Sequence, residues 1–215
     1  MSRNAKDLWQ DIAKKNQIPL LLVRHGRTRH NLERRFVGKE DPPLDEEGLR
    51  EAQNLAAAVE GIELGGLYAS TLTRAQQTAA AIGTPTVLEG IAELDQGELE
   101  GQRFEEVGEK YAQFFQQWVL DPDGLAAPGG ESLNNCQDRA VAALQGLRFH
   151  HKPGPPLLIV THQMVLSVVL LHAIGLPMRH WRLLKRKNTS MDLLGLDSTG
   201  QLLVHHLNLS EHLSE

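Results

Sequence analysis

The sequence predicts an α/β fold: a mainly parallel central sheet with helices on both faces. Three observations carry that expectation. Two short, continuously apolar runs, IPLLLVRH and PPLLIVTHQ, have the length and composition of strands buried on both sides. Helical patterns alternate with strand patterns along the chain. No internal repeat, low-complexity tract or linker interrupts the 215 residues. The chain therefore reads as one domain over 1–215, with its core at about 18–208 and a short insertion, 102–130, forming a small helical cap.

Each element has its own signal. MSRNAKDLWQDIAKKNQ is polar and lacks the apolar centre of a signal peptide. It reads as a surface helix that packs Leu8, Trp9 and Ile12 on the body. IPLLLVRH opens at Pro19 and is the first strand. Asp45 caps a helix that shows Leu49, Ala52, Leu55, Ala56 and Val59 on one face and stops at Gly61. GLYAS is a short strand, and TLTRAQQTAAAIG an Ala-rich helix ended by Gly83. RFEEVGEKYAQFFQQWVLDP reads as helical up to Pro122, and DPDGLAAPGG as a loop. A further helix begins at Glu131 or Ser132. PPLLIVTHQ is a buried strand and MVLSVVLLHAIG a buried helix. NTSMDLLGLD and QLLVHHLNL form a hairpin around DSTG.

Composition narrows the classes of function. Nothing in a net charge of −5 points to non-specific nucleic-acid or membrane binding, and no apolar run reaches transmembrane length. A local pocket can still oppose the global sign and take a small anion. The single cysteine, Cys136, excludes an intrachain disulfide and sits in a helical pattern as a small packing residue. It suits a reducing, cytoplasmic compartment. His150-His151 and His205-His206 are poor chelates, because neighbours in a strand point to opposite faces, so no metal site is expected.

Ligands of such sheets bind beyond the carboxyl ends of the strands. Two apolar runs end there in histidine: Arg24-His25 and His162. Phosphate-ester chemistry would use such a set. A neutral imidazole, His25, attacks phosphorus. Arg24, Arg74 and His162 clamp the phosphoryl oxygens, and Asn31 adds a neutral donor. Glu93 in IAELDQGELEG protonates the leaving alkoxide. Taken singly, each residue also has a plainer reading. His162 is a turn residue, Arg74 a solvated helix residue, Glu93 an ordinary loop carboxylate.

The motifs in order resolve more than any one of them. LLVRHGRT, PPLDEEGLREAQNLA, YASTLTRAQQTA, AELDQGELEGQ, APGGESL, LLIVTHQ and KNTSMDLL resemble, from about 18 to 196, the histidine phosphatase superfamily, the phosphoglycerate mutase-like proteins. That resemblance implies a metal-independent phosphomonoesterase acting on a small phosphorylated metabolite, with no cofactor. His25 would become a phosphohistidine, Arg24, Arg74 and His162 would hold the phosphoryl group, and Glu93 would be the proton donor and later the base. Cofactor-dependent mutases of the family carry a long insertion after the acid loop. Here only 102–127 lie between EGQ and PGGES, which favours hydrolysis over phosphoryl return. Mutase-type transfer and a non-catalytic phospho-ligand-binding module are the alternatives. A homodimer is compatible with the sequence.

Two positions depart from the family. Arg27 stands where relatives carry Glu or Gln, and Gln163 where they carry a small residue. With Thr28, both lie where substrate would pass, and all three are expected to touch it. Arg27 in particular would favour a substrate with a second anionic group, such as a phosphorylated acid.

Overall fold

Strand β1 (Ile18–Arg24) is buried from Ile18 to Val23 and emerges only at Arg24. A computed structural model of the chain shows this strand at the middle of a six-stranded sheet and describes residues 5–213. Met1–Asn4 of the N-terminal stretch lie outside the described residues. The sheet order is β3-β2-β4-β1-β5-β6, with β2 (Gly66–Ala69), β3 (Thr86–Val87), β4 (Leu157–Thr161), β5 (Met191–Leu196) and β6 (Leu202–Leu209). β3, β2, β4 and β1 run parallel; β5 and β6 form the antiparallel hairpin at one side.

Alternation along the central strands explains why both faces need covering. Leu20, Leu22, Leu157 and Ile159 join one core with α6 (Leu133–Gly146) and α7 (Gln163–Ile174). Leu21, Val23, Leu158 and Val160 join the other, with α1 (Ala5–Lys14), α3 (Glu46–Val59) and α4 (Thr73–Ala80). Burying each such leucine or valine is worth about 1.5–3 kcal/mol relative to exposure. Leu8 and Ile12 of α1 are buried, as their spacing suggests. α7 buries every residue from Met164 to Leu171, and Gly175 ends it in the left-handed conformation. Ser132 is the cap of α6, and Cys136 is a free thiol buried on that helix. His151 bonds the Tyr68 hydroxyl and His205 bonds Gln17, so these histidines have tasks other than chelation.

The sequence expectation differs at four places. The helix expected over 103–121 is only α5 (Ala112–Leu120). Arg103 instead bridges to Arg35, Gly108 interrupts the helical pattern, and Val107 and Tyr111 fold into a small core of their own with Leu99 and Ala127. The β5–β6 turn is longer than DSTG: Asp197 Oδ1 accepts the Thr199 and Gln201 N–H groups and closes it. β3 and the one-turn helix α2 (Arg29–Leu32) are too short to leave a periodic signal.

Register decides what happens at the strand ends. Arg24 lies opposite Thr161, and Ala69 opposite Val160. The next residues, His25, His162 and Ser70, therefore reach one edge of the sheet together.

Candidate active site

His25 is fixed by its own backbone neighbourhood. Its N–H donates to the Thr161 carbonyl at 2.9 Å, and its carbonyl accepts from Asn188 Nδ2 at 2.8 Å. The ring donates from Nδ1 to the Gly26 carbonyl at 2.7 Å. A carbonyl can only accept, so Nδ1 carries the hydrogen and Nε2 keeps its lone pair. Gly26 has to be glycine: a Cβ there would lie 2.6 Å from the Gly48 carbonyl oxygen of α3. Burial, and then the charges of Arg74 and Arg24, hold the imidazole well below its usual pKa. The ring is neutral at neutral pH, as a nucleophile must be.

His162 follows β4 as His25 follows β1, with ring centroids 5.1 Å apart. Burial and the Arg74 charge keep it neutral too. Its Nε2 lies 2.6 Å from the Ser70 hydroxyl.

Arg74 is where the sequence pattern misleads most. It looks like a solvated residue of an Ala-rich helix, yet it is 1% exposed. α4 starts at the sheet edge, and its first turn points Arg74 into the site. The guanidinium donates to the carbonyls of Gly38 at 2.9 Å and Glu40 at 2.8 Å. That loop is held in turn by Glu100, whose carboxylate accepts the N–H groups of Gly38, Lys39 and Glu40. Arg24 donates to the Arg186 carbonyl at 2.6 Å. In both arginines Nε is buried and meets no protein acceptor, and the same is true of His162 Nδ1. Two such guanidinium N–H groups and an unpartnered ring nitrogen beside a neutral histidine suit a multiply charged oxyanion.

Glu93 lies against the first turn of α7. Met164 N–H reaches its two carboxyl oxygens at 3.2 and 3.3 Å, and Leu94 N–H reaches Oε1 at 2.9 Å. Burial raises its pKa; these bonds and Arg74 pull the other way without cancelling it. It is the group best prepared here to carry a proton. Arg139 braces its loop, donating to the carbonyls of Gly90, Ala92 and Glu93 while paired with Glu131.

Four further expected residues have partners of their own. Thr28 is fully buried and caps α2, exchanging bonds with Asn31. Asn31 thus spends its carbonyl on the cap, and its amide nitrogen is the part left to donate. Arg27 pairs with Asp45 at 2.8 Å, and its backbone N–H goes to Glu51. Gln163 donates to Ser167 Oγ and the Leu184 carbonyl and accepts from Arg186 N–H. Thr28 and Gln163 therefore have structural tasks where substrate contact was expected. Sequence reasoning also left out Ser70, Asn188, Arg139 and Arg186. Ser70 and Asn188 lie inside the quoted motifs YASTLTRAQQTA and KNTSMDLL; the other two carry no local signal.

The sequence model of the histidine phosphatase superfamily (branch 1) matches residues 20–209. Phosphoserine phosphatase 1 of Hydrogenobacter thermophilus is 30% identical over 203 residues, covering 92% of this chain and 95% of that one. A protein described as a probable phosphoglycerate mutase, GpmB, of Cronobacter sakazakii is 34% identical over 81% of this chain and 83% of its own. Among solved structures, Bacillus stearothermophilus YhfR superimposes with a TM-score of 0.85 at 30% identity, covering 92% of this chain and all of that one.

Proposed function

The chain belongs to the histidine phosphatase superfamily, branch 1, and from that premise we propose that it is a phosphomonoesterase working through a phosphohistidine at His25. The observation that supports this reading best is the pair of buried, unpartnered guanidinium donors, Arg24 Nε and Arg74 Nε, together with the unpartnered His162 Nδ1, beside a neutral His25.

The reaction runs in two balanced steps. His25 Nε2 attacks phosphorus, the ester P–O bond breaks, and the leaving alkoxide takes the proton of Glu93. Water then gives a proton back to the Glu93 carboxylate and attacks phosphorus. The P–N bond breaks, its electron pair returns to Nε2, and inorganic phosphate leaves. Positive charge at the phosphoryl oxygens comes from Arg24 and Arg74, so the proposed chemistry needs no metal. Asn31 Nδ2 is a further neutral donor to the same group.

Hydrolysis is favoured over mutase-type return by the short cap, a set of turns plus the nine residues of α5. Little there could exclude water while an intermediate turns round. The phosphoserine phosphatase among the relatives points to a small phosphorylated acid as substrate. The test is phosphate release over a panel of phosphorylated metabolites with excess chelator. Rapid quench with labelled substrate should trap an acid-labile, base-stable phosphoenzyme. Release that chelator abolishes, or turnover without that intermediate, would overturn the reading.

A further inference from the structure

Ser70 follows β2 beside His162, and both are fully buried, with a relative exposure of zero. The hydroxyl oxygen lies 2.6 Å from His162 Nε2 and accepts the Leu72 N–H at 3.3 Å. Which partner donates across the 2.6 Å bond follows from counting hydrogens. Suppose His162 Nε2–H donated. The hydroxyl would then receive two hydrogens, and its own hydrogen would have no acceptor. His162 Nδ1 would be a bare lone pair, buried and unpartnered. It would also face the phosphoryl oxygens, lone pair against lone pair. With the roles reversed, Ser70 donates to Nε2 and accepts from Leu72. Every hydrogen is then placed except His162 Nδ1–H, which is left for the ligand.

We infer that Ser70 is a positioning residue: its hydroxyl donates to His162 Nε2 and locks the neutral imidazole as the Nδ1–H tautomer, which presents that N–H to the phosphoryl group. This rests on the reading of His162 as a phosphoryl ligand. A hydroxyl is well suited to the task because it can donate and accept at once. The β2–β4 register supplies the alignment, with Ser70 N–H donating to the Val160 carbonyl at 3.1 Å.

The test is nitrogen-15 NMR of the histidine rings in the full chain at pH 7.5, alone and with inorganic phosphate, assigned through His162→Asn. The expected spectrum shows Nδ1 protonated and Nε2 unprotonated in both states. An Nε2–H tautomer, or a doubly protonated ring with phosphate bound, would overturn the inference. Ser70→Ala should mix the tautomers and slow phosphorylation of His25 by about 10- to 100-fold, with the Michaelis constant changing less. Ser70→Thr, which keeps the hydroxyl, should restore tautomer and rate together. An unchanged tautomer in Ser70→Ala would likewise overturn it. The spectrum needs no turnover, so a parent protein without phosphatase activity would sink the proposed function and leave this question answerable.

Discussion

The carboxyl ends of β1 and β4 are built alike. Each is a continuously buried apolar strand that delivers a histidine to the same edge, and each ring is kept neutral by burial and by Arg74. On the tautomer inferred for His162, the two imidazoles nevertheless face the site with opposite polarity. At the β1 end the remote nitrogen meets a backbone carbonyl, which can only accept, so the near nitrogen is a lone pair. At the β4 end the remote nitrogen meets a hydroxyl, which on the inference above donates, so the near nitrogen is a donor. The difference teaches that strand register delivers the ring, while, on the proposed roles, the partner behind it decides between nucleophile and clamp.

Removing each histidine in turn is the sharpest way to break this comparison. His25→Ala should lose turnover by about 10⁴-fold or more and form no trapped phosphoenzyme. His162→Ala should lose a donor and no covalent step. Its rate should fall by about 10²–10³-fold, with the phosphoenzyme still detectable by rapid quench. A phosphoenzyme in the first variant, or none in the second at long reaction times, would show that the roles are assigned to the wrong strands.

Glu93 sharpens the comparison through pH. The proposed first step needs His25 neutral and Glu93 protonated. Burial lowers the first pKa and raises the second, so both shifts widen the usable range toward acid and neutral pH. Activity should fall on the alkaline side as Glu93 loses its proton. Glu93→Gln should remove that limb and slow alkyl phosphates by about 10²–10⁴-fold, with p-nitrophenyl phosphate less affected in phosphoenzyme formation. Stability has its own signature. Both histidines titrate lower folded than unfolded, so the unfolded chain binds protons first. Stability should be full above about pH 6.5 and be lost as pH falls through the folded values. Glu93 has the opposite sign, with its contribution lost as pH rises above about 4.3. Calorimetric melts across pH 4–8 of the parent and of Glu93→Gln check both signs: in Glu93→Gln, where only the histidine contribution remains of the two, a melting point that rises on acidification from pH 7 to 6 would contradict the buried neutral rings.

The strand-end histidines were legible because a continuous apolar run ending in a polar residue is a local pattern. Arg74 was not, since helical spacing cannot tell a first-turn arginine pointing along a sheet edge from a solvated one. Glu93 was legible only through its motif. Its setting against α7 depends on a contact 71 residues away. The cap helix is shorter than the helical spacing of Arg103–Tyr111 predicts, because the Arg103 backbone pairs with Arg35 and the Val107 and Tyr111 side chains enter a separate core. Ser70 carried no sign of its task, which arises only when β2 pairs with β4.

The residues that follow each histidine motif test how far the comparison extends. At the β4 end, Gln163 fastens Leu184 and Arg186, and the Arg186 carbonyl in turn receives Arg24. Gln163→Leu would leave those half-buried backbone groups without their partner. It should cost about 1–3 kcal/mol of stability in chemical denaturation. It should also raise the Michaelis constant several-fold, because Arg24 loses its backstop. Unchanged stability would mean that water replaces the amide without loss.

At the β1 end the corresponding departure is Arg27, and its expected effect is the smallest. Its position beside the nucleophile suggests recognition of a second anionic group on the substrate. The structure instead shows the guanidinium paired with Asp45, which also caps α3 through Gly48 N–H, and the backbone N–H held by Glu51. Its charge is thus already met by a carboxylate, and releasing it to a substrate would leave Asp45 without its cation. The side chain is one-third exposed, so solvent screens the pair, and such pairs are worth at most about 1 kcal/mol. Arg27→Gln should therefore shift stability by no more than that. It should change the Michaelis constants for a phosphorylated acid and for p-nitrophenyl phosphate by less than about threefold each, with their ratio unchanged. A selective rise of about tenfold for the phosphorylated acid, the size expected of a lost charge-assisted bond, would show that Arg27 leaves Asp45 for the substrate. In that event both departures from the family would touch specificity, one through a substrate contact and the other through Arg24.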